Sequence, residues 1–169
     1  MLLGLPPFTF IHTAISLVGI FTGLMVLFGG WLANRELSGW TSWFLTSTVL
    51  TSVTGFFLPA PHFMPSHAVG ILSLLILAVT LFAFYAKHLA GAWRRTYVIT
   101  AVVALYLNVF VLVAQLFAKV PALKELAPTQ TETPFKLAQG VVFVAFIVLG
   151  ALAASRFHPA QPSASARAT

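Results

Sequence analysis

The chain has no cysteine, and only 7% of its 169 residues are charged. The missing thiols exclude disulfides, iron–sulfur clusters, thiolate metal sites and cysteine nucleophiles. Low charge excludes intrinsic disorder for most of the chain, because disorder requires low hydrophobicity and high charge. Soluble domains carry roughly 25% charged residues, and a chain this short that is 59% hydrophobic cannot hide its apolar surface from water. These absences exclude a water-soluble enzyme and leave a polytopic membrane protein.

Acidic residues are the scarcest group, with three against nine lysines and arginines. The basic residues flank apolar runs and form no stripe with aromatic residues on a polar surface. The expected partner is therefore the lipid bilayer and not nucleic acid. The apolar runs contain no acidic residue, which argues against a proton pump or ion path. Phosphate-binding glycine motifs, the HExxH pattern and an acidic partner for a hydrolase histidine are absent too.

Five apolar runs predict an all-α fold, an integral membrane bundle of five transmembrane helices. The second run is rich in serine and threonine, whose hydroxyls can bond back to their own helix, so we expect it to cross as well. One domain covers residues 1–157, and residues 158–169 read as a disordered tail. The five runs are Phe8–Leu32, Trp40–Leu58, Ser66–Ala86, Thr96–Ala118 and Phe135–Ala154.

The positive residues predict the orientation of this bundle. With five crossings, segments 33–39 and 87–95 share one side with the tail, and this side carries six of the nine basic residues. The positive-inside rule then places the C-terminus in the cytoplasm and the N-terminus outside. The six are Arg35, Lys87, Arg94, Arg95, Arg156 and Arg167, and the other side has Lys119, Lys124 and Lys136. An aromatic belt is expected near the cytoplasmic ends, formed by Trp31, Trp40, Trp43 and Trp93.

Three histidines fall at the outer face in this topology. His12 lies about one turn into the first helix, and His67 lies just inside the third. His62 lies between them in a proline-rich loop that we expect to be stiff. The first and third helices run in the same direction, so their outer ends could be adjacent. The sequence therefore brings three imidazoles towards one surface of the membrane.

These histidines have three interpretations. In the first, His12 and His67 are axial ligands of haem b, since imidazoles from facing helices suit haem iron. In the second, His12, His62 and His67 bind copper or zinc, with Met64 as a soft fourth donor. In the third, they are polar residues of the membrane interface and bind nothing, which is the more frequent case for any single histidine.

The fourth run carries a polar face that includes Asn108 and Gln115. These amides could shape a cofactor cavity or a quinone path, or hold helices together. In the first run, Gly19 and Gly23 form a GxxxG motif. This motif usually means close helix packing, and it would also leave space for a flat ring.

The segment from Lys119 to Pro134 is the longest connection. It predicts a short interfacial helix with Pro121 in its first turn. Glu125 and Glu132 in this segment could orient a histidine, or they could simply balance the nearby lysines.

Four short stretches carry a resemblance that extends over most of the chain except the tail. They are Leu107–Val111, Lys119–Leu123, Ala127–Gln130 and Pro134–Phe135. In these the chain resembles a group of small bacterial polytopic inner-membrane proteins of uncharacterised function. The resemblance implies a multi-pass protein of the bacterial inner (plasma) membrane, and it carries no activity, cofactor or site residue.

The leading hypothesis is a small membrane protein with a histidine site at the periplasmic face. It would hold haem or a metal ion for electron transfer or cofactor handling. One alternative is a non-enzymatic subunit or assembly factor of a larger membrane complex, or a homo-oligomer. Another is a transporter of a small neutral solute along Asn108, Gln115 and the hydroxyls of the second run. Whether the protein is an enzyme stays open.

Overall fold

A computed structural model describes residues 6–58 and 65–159. The regular secondary structure of this part is all helical, with no strand, which confirms the all-α prediction. Two helices end in a wider π-helical segment, Val26–Trp31 after the first and Phe82–Ala86 after the third. The helices are α1 (Pro7–Met25), α2 (Ser38–Gly55), α3 (Pro65–Leu81), α4 (Trp93–Lys119), α5 (Pro121–Leu126) and α6 (Thr133–Arg156).

Within residues 6–58 and 65–159, four helical segments are long and apolar enough to cross a membrane. They are Pro7–Trp31, Ser66–Ala86, Trp93–Lys119 and Thr133–Arg156. Five apolar crossings were predicted, and the described residues provide four helices of sufficient length and apolarity. The second run forms α2, which has 18 residues. Its serines and threonines make its mean hydropathy too low for it to be counted among these spans.

The hydroxyls of α2 bond back to the helix that carries them, as expected. Ser47 donates to the Trp43 carbonyl at 2.5 Å, and Thr54 donates to the Leu50 carbonyl at 2.7 Å. The Ser52 hydroxyl oxygen likewise lies 2.9 Å from the Thr48 carbonyl oxygen. These bonds leave fewer polar hydrogens exposed along α2.

Contacts between helices show that neighbours in sequence pack antiparallel. Along α1 and α2, His12 meets Thr54 near one end and Gly23 meets Phe44 further along. The same reversal links α2 to α3, α3 to α4 and α4 to α6. Representative pairs are Ser52 with Ser73, Thr80 with Thr100, and Phe117 with Phe135.

The bundle therefore has two ends with different composition. The histidine end contains Pro7, Gly55, Pro65, Lys119 and Thr133, and the basic end contains Trp31, Ser38, Ala86, Trp93 and Arg156. Helix α2 lies between α1 and α3, which make little contact with each other. The expectation that the first and third helices are adjacent is wrong, because α1 packs on α2 and α4 instead.

Three aromatic side chains, Trp31, Phe44 and Tyr97, form a buried cluster towards the basic end. Each is at most 1% exposed. The Trp31 ring meets Tyr97 edge to face at a centroid distance of 5.6 Å and Phe44 at 6.5 Å. Trp31 was expected in the aromatic belt, so this placement corrects the prediction. Trp40 and Trp43 are exposed at the same end and fit the belt.

The end of α6 is fastened to two other parts of the basic end. The Arg94 guanidinium donates to the Phe157 carbonyl, and the His158 backbone N–H donates to Asn34 Oδ1 at 2.7 Å. His158 is the first residue of the predicted disordered tail, and the disorder of this tail stays a prediction. Residues 160–169 of that tail lie outside the described residues.

Candidate functional site

His12 is the centre of the most defined polar arrangement at the histidine end. The imidazole sits on the second turn of α1 and is partly buried against the last turns of α2. Its Nδ1 lies 2.9 Å from the Thr54 hydroxyl oxygen. This contact fixes the ring between two helices.

The direction of this hydrogen bond follows from the other partner of Thr54. A hydroxyl has one hydrogen, and Thr54 uses it to donate to the Leu50 carbonyl. With this hydrogen directed to Leu50, the matching tautomer of His12 carries its hydrogen on Nδ1 and donates it to Thr54. In the neutral ring, Nε2 then holds a lone pair, which can bind a metal or accept a hydrogen bond.

His67 has a different environment in the first turn of α3. Its ring stacks on Phe56, with the centroids 5.8 Å apart and the planes at 25°. His12 and His67 therefore approach the C-terminal part of α2 from different neighbouring helices. The interpretation that both ligate one haem stays a prediction, with α2 lying between α1 and α3.

The proposed copper or zinc set is only partly described. His62 and Met64 lie outside the described residues. Among residues 6–58 and 65–159, no group of three or more His, Cys, Asp or Glu side chains is placed to hold a metal ion. Of that set, the structure places only His12 and His67, so this interpretation also stays a prediction.

The polar face of α4 changes character along the helix. Its first residues, Tyr97, Ala101 and Ala104, are buried, while Asn108 is partly buried and Gln115 is exposed. The Asn108 amide lies 3.4 Å from the fully buried Thr48 hydroxyl, a weak contact that crosses to α2. This favours the interpretation that Asn108 holds helices together, and the exposed Gln115 does not line a closed cavity.

The glycines of α1 serve packing inside the chain. A methyl group on Gly19 would lie 3.2 Å from Ser47 Oγ, and one on Gly23 would lie 2.6 Å from Leu105 Cδ1. The packing interpretation of the GxxxG motif is thus supported. The expectation that it leaves space for a flat ring is wrong, because side chains of α2 and α4 fill that space.

Glu132 is engaged by its own loop. Its carboxylate accepts the Thr129 N–H at 3.2 Å, the Thr129 hydroxyl at 2.7 Å and the Thr131 N–H at 3.0 Å. The hydrogen bond from the Thr129 hydroxyl is the main reason that the pKa of Glu132 is lowered. These bonds order the turn before α6, and they tie the Glu132 carboxylate to its own loop. The predicted short helix is present as α5, with Pro121 at its start.

Two glutamines of structural importance were missed in the sequence. The Gln130 amide donates to the Ala114 carbonyl at 2.9 Å, and the Gln139 amide donates to the Phe110 carbonyl at 3.0 Å. The two carbonyls are one turn apart on α4. A lone amide inside the last apolar run was the signal that could have identified Gln139.

Two buried polar atoms in the described part of the chain have no hydrogen-bond partner, Gln139 Oε1 and Thr51 Oγ1. Thr51 lies four residues after Ser47 and three before Thr54, both of which contact α1. Thr51 therefore belongs to the face of α2 that meets α1, at a depth between Gly19 and His12.

Comparison with protein-family models, curated proteins and solved structures finds no match.

Proposed function

We propose that the protein is a bacterial inner-membrane protein of five crossings that binds a redox cofactor through His12 at its periplasmic face. The observation that carries this proposal is the 2.9 Å contact between His12 Nδ1 and the Thr54 hydroxyl, which orients the ring. In the tautomer with its hydrogen on Nδ1, Nε2 keeps its lone pair. Ligating histidines are commonly oriented in this way by a hydrogen bond from the other nitrogen.

The packing of α2 supports a fifth crossing. Contacts with α1 run from Thr54 at the histidine end to Phe44 nearer the basic end. A helix that follows an apolar neighbour over this length occupies the same depth of the bilayer. An odd number of crossings puts the termini on opposite sides, and the excess of basic residues assigns the basic end to the cytoplasm.

Cysteine labelling tests this topology cleanly, because the chain has no cysteine of its own. We would introduce Arg35→Cys, Ala90→Cys or Lys124→Cys singly and apply a membrane-impermeant maleimide to spheroplasts and to lysed cells. If α2 crosses, position 124 reacts in spheroplasts, and positions 35 and 90 react only after lysis. If α2 does not cross, positions 35 and 124 lie on the same side, which would overturn the five-crossing topology.

Haem fits the described residues better than copper or zinc does. A protein cage for those ions needs three or more ligands, whereas a single histidine can hold haem iron. The register of α1 and α4, set by Gly23 with Leu105 and Trp31 with Tyr97, brings His12 level with Leu116. This is the part of α4 where the polar face is exposed. When bound, haem supplies a one-electron iron couple, and His12 would hold and orient it.

Visible spectroscopy of the purified protein tests the cofactor. Reduced-minus-oxidised spectra and metal analysis would be recorded for the wild type, His12→Ala and His67→Ala. His88→Ala is the matched control, since His88 is an exposed histidine near the basic end. We expect a haem band that His12→Ala removes and His88→Ala retains. A colourless, metal-free wild type from cofactor-replete cells would overturn the proposal.

A second candidate function is a subunit or assembly factor of a membrane complex. Helix α6 packs mainly on α4, and it bounds an apolar groove of about 370 Å³ with that helix. Large side chains such as Leu137, Val141 and Val144 remain exposed on α6. The α1 glycines are already used internally, so a partner would bind this α6 surface. Native gels of Val144→Trp against the wild type would detect loss of a complex.

The neutral-solute transporter has less support. A polar path from the histidine end would pass His12, Thr54 and Asn108. It would then reach Trp31 and Tyr97, whose packed rings fill the space between the helices towards the basic end. Uptake in proteoliposomes would establish this alternative if it occurred.

A further inference from the structure

The basic end carries more positive charge than its own residues balance. Its described part has five lysines and arginines and one glutamate, Glu36. No ion pair joins any of these groups within residues 6–58 and 65–159. Four of the five cations are exposed, namely Arg35, Lys87, Arg95 and Arg156.

Two contacts bring the chain segments that carry these arginines to the C-terminus of α6. Arg94 holds the Phe157 carbonyl, which places its neighbour Arg95 and the adjacent Arg156 in the same region. Asn34 holds the His158 N–H, and this brings the neighbouring Arg35 to it as well. Phe157 itself is only 2% exposed and anchors this arrangement in the core. We call Arg35, Arg95 and Arg156 the arginine cluster.

The partial negative charge at the C-terminus of α6 accounts for only some of the cations at the basic end. The C-terminus of a helix carries a partial negative charge that attracts cations. Arg94 caps a carbonyl there, and Arg156 lies in the last turn of α6. Arg35 and Arg95 come from other segments, and neither has an ion-pair partner within residues 6–58 and 65–159.

The surroundings place the arginine cluster at the depth of lipid headgroups. The Lys87 ammonium lies 5.3 Å from the Phe82 ring centroid and 5.7 Å from that of Trp93. Trp40 and Trp43 are exposed at the same end. Tryptophans and lysines in this arrangement are typical of the boundary between the hydrocarbon and the headgroups.

We propose that the arginine cluster binds the phosphate of an anionic phospholipid. Guanidinium groups bind phosphate oxygens in pairs, which gives such contacts both strength and geometry. The two hydrogen bonds at the C-terminus of α6 hold the backbone that carries these arginines, so only their side chains are left to be ordered on lipid binding. This inference does not depend on the His12 site.

Lipid binding to the intact protein in detergent tests the proposal. Phosphatidylglycerol and phosphatidylcholine would be titrated by native mass spectrometry into the wild type, Arg35→Ala, Arg95→Ala and the double variant. We expect the wild type to prefer phosphatidylglycerol. Each single variant should bind it about five-fold more weakly, and the double variant more weakly still. Raising the salt concentration should reduce the preference.

A matched control removes the same charge from the histidine end. The variant Lys124→Ala/Lys136→Ala should bind phosphatidylglycerol like the wild type, and Arg35→Lys/Arg95→Lys should keep part of the preference. Thermal melts establish that every variant is folded. Equal loss in the lysine control, or wild-type binding in the double arginine variant, would overturn the proposal. So would displacement by inorganic phosphate at lipid concentrations, because the site would then recognise free phosphate.

Discussion

Gly23 on α1 faces Leu105 on α4 so closely that a methyl group in place of its hydrogen would lie 2.6 Å from Leu105 Cδ1. The Phe44 ring of α2 would be only 2.8 Å from the same methyl group. Three helices therefore meet at one residue without a side chain. The rings of Trp31 and Tyr97 pack further towards the basic end, so this glycine helps to decide how closely α1 approaches the rest of the bundle.

Gly23→Ala should lower the stability of the bundle. Overpacking a filled site costs about 1–3 kcal/mol, which exceeds the gain of up to about 1 kcal/mol that alanine brings to a helix. Thermal unfolding in mild detergent would measure the change. Gly140→Ala on α6 is the control, because a methyl group there meets nothing within 4 Å. Equal melting temperatures for the two variants would contradict the packing described for Gly23.

Thr54→Val should remove the acceptor for the His12 Nδ1–H. An unmet donor of this kind costs about 1 kcal/mol, less if the ring turns towards water. Nitrogen NMR should find the Nδ1–H form of neutral His12 in the wild type and a changed mixture of forms in the variant. Thr46→Val, on the exposed side of α2, should leave the His12 signals unchanged. Identical His12 signals in Thr54→Val and the wild type would show that Thr54 does not orient the ring.

The helices themselves were largely predictable from the sequence. The apolar runs gave their positions, and Pro121 marked the start of α5. The neighbours of each helix were not predictable, because many faces are apolar and several packings bury similar area. Trp31 shows the difficulty, since a tryptophan near a helix end usually lies at the membrane surface and here completes the core.

The candidate site was predictable only as a set of residue types. His12 was identified, but its partner Thr54 was one of many α2 hydroxyls, and its selection depends on the register of two antiparallel helices. Glu132 could not be assigned from the sequence, because its carboxylate was equally suited to a histidine, a lysine or its own turn. The bonds to Thr129 and Thr131 decide this locally.

The turn before α6 should loosen in acid. The pKa of Glu132 is lowered in the folded chain, so its stabilising contribution is complete above the unfolded pKa of about 4.3 and is lost as the pH falls through the folded value. Amide hydrogen exchange at Thr129 and Thr131 should therefore show loss of protection in this range, after correction for the intrinsic rate. Glu132→Gln should lack the transition, whereas Glu125→Gln should keep it. A transition that persists in Glu132→Gln would point to another group.

Replacing Gln139 by methionine should leave stability unchanged or raise it. The substitution loses one hydrogen bond to Phe110, worth about 0.6 kcal/mol in a membrane bundle. It also removes the buried Oε1, whose unmet bonding costs about 1–3 kcal/mol. Gln130→Met loses the hydrogen bond to the Ala114 carbonyl, and it removes no unpaired buried oxygen in return. This variant should therefore have a lower melting temperature. A larger loss in Gln139→Met would mean that Oε1 has a partner, such as a bound water.

The order of packing along the chain also has a consequence for biosynthesis. Helices α2, α3 and α4 each pack on the helix made just before, and α6 packs on α4 across the connection that contains α5. Successive antiparallel pairs can therefore form as the ribosome releases them. The α1–α4 contact is different, because Trp31 must remain without its Tyr97 partner until most of the bundle has been synthesised. During that interval α1 depends on α2 alone, so a nascent chain that stalls before α4 would expose Trp31 and the Leu105 side of Gly23 to quality-control proteases.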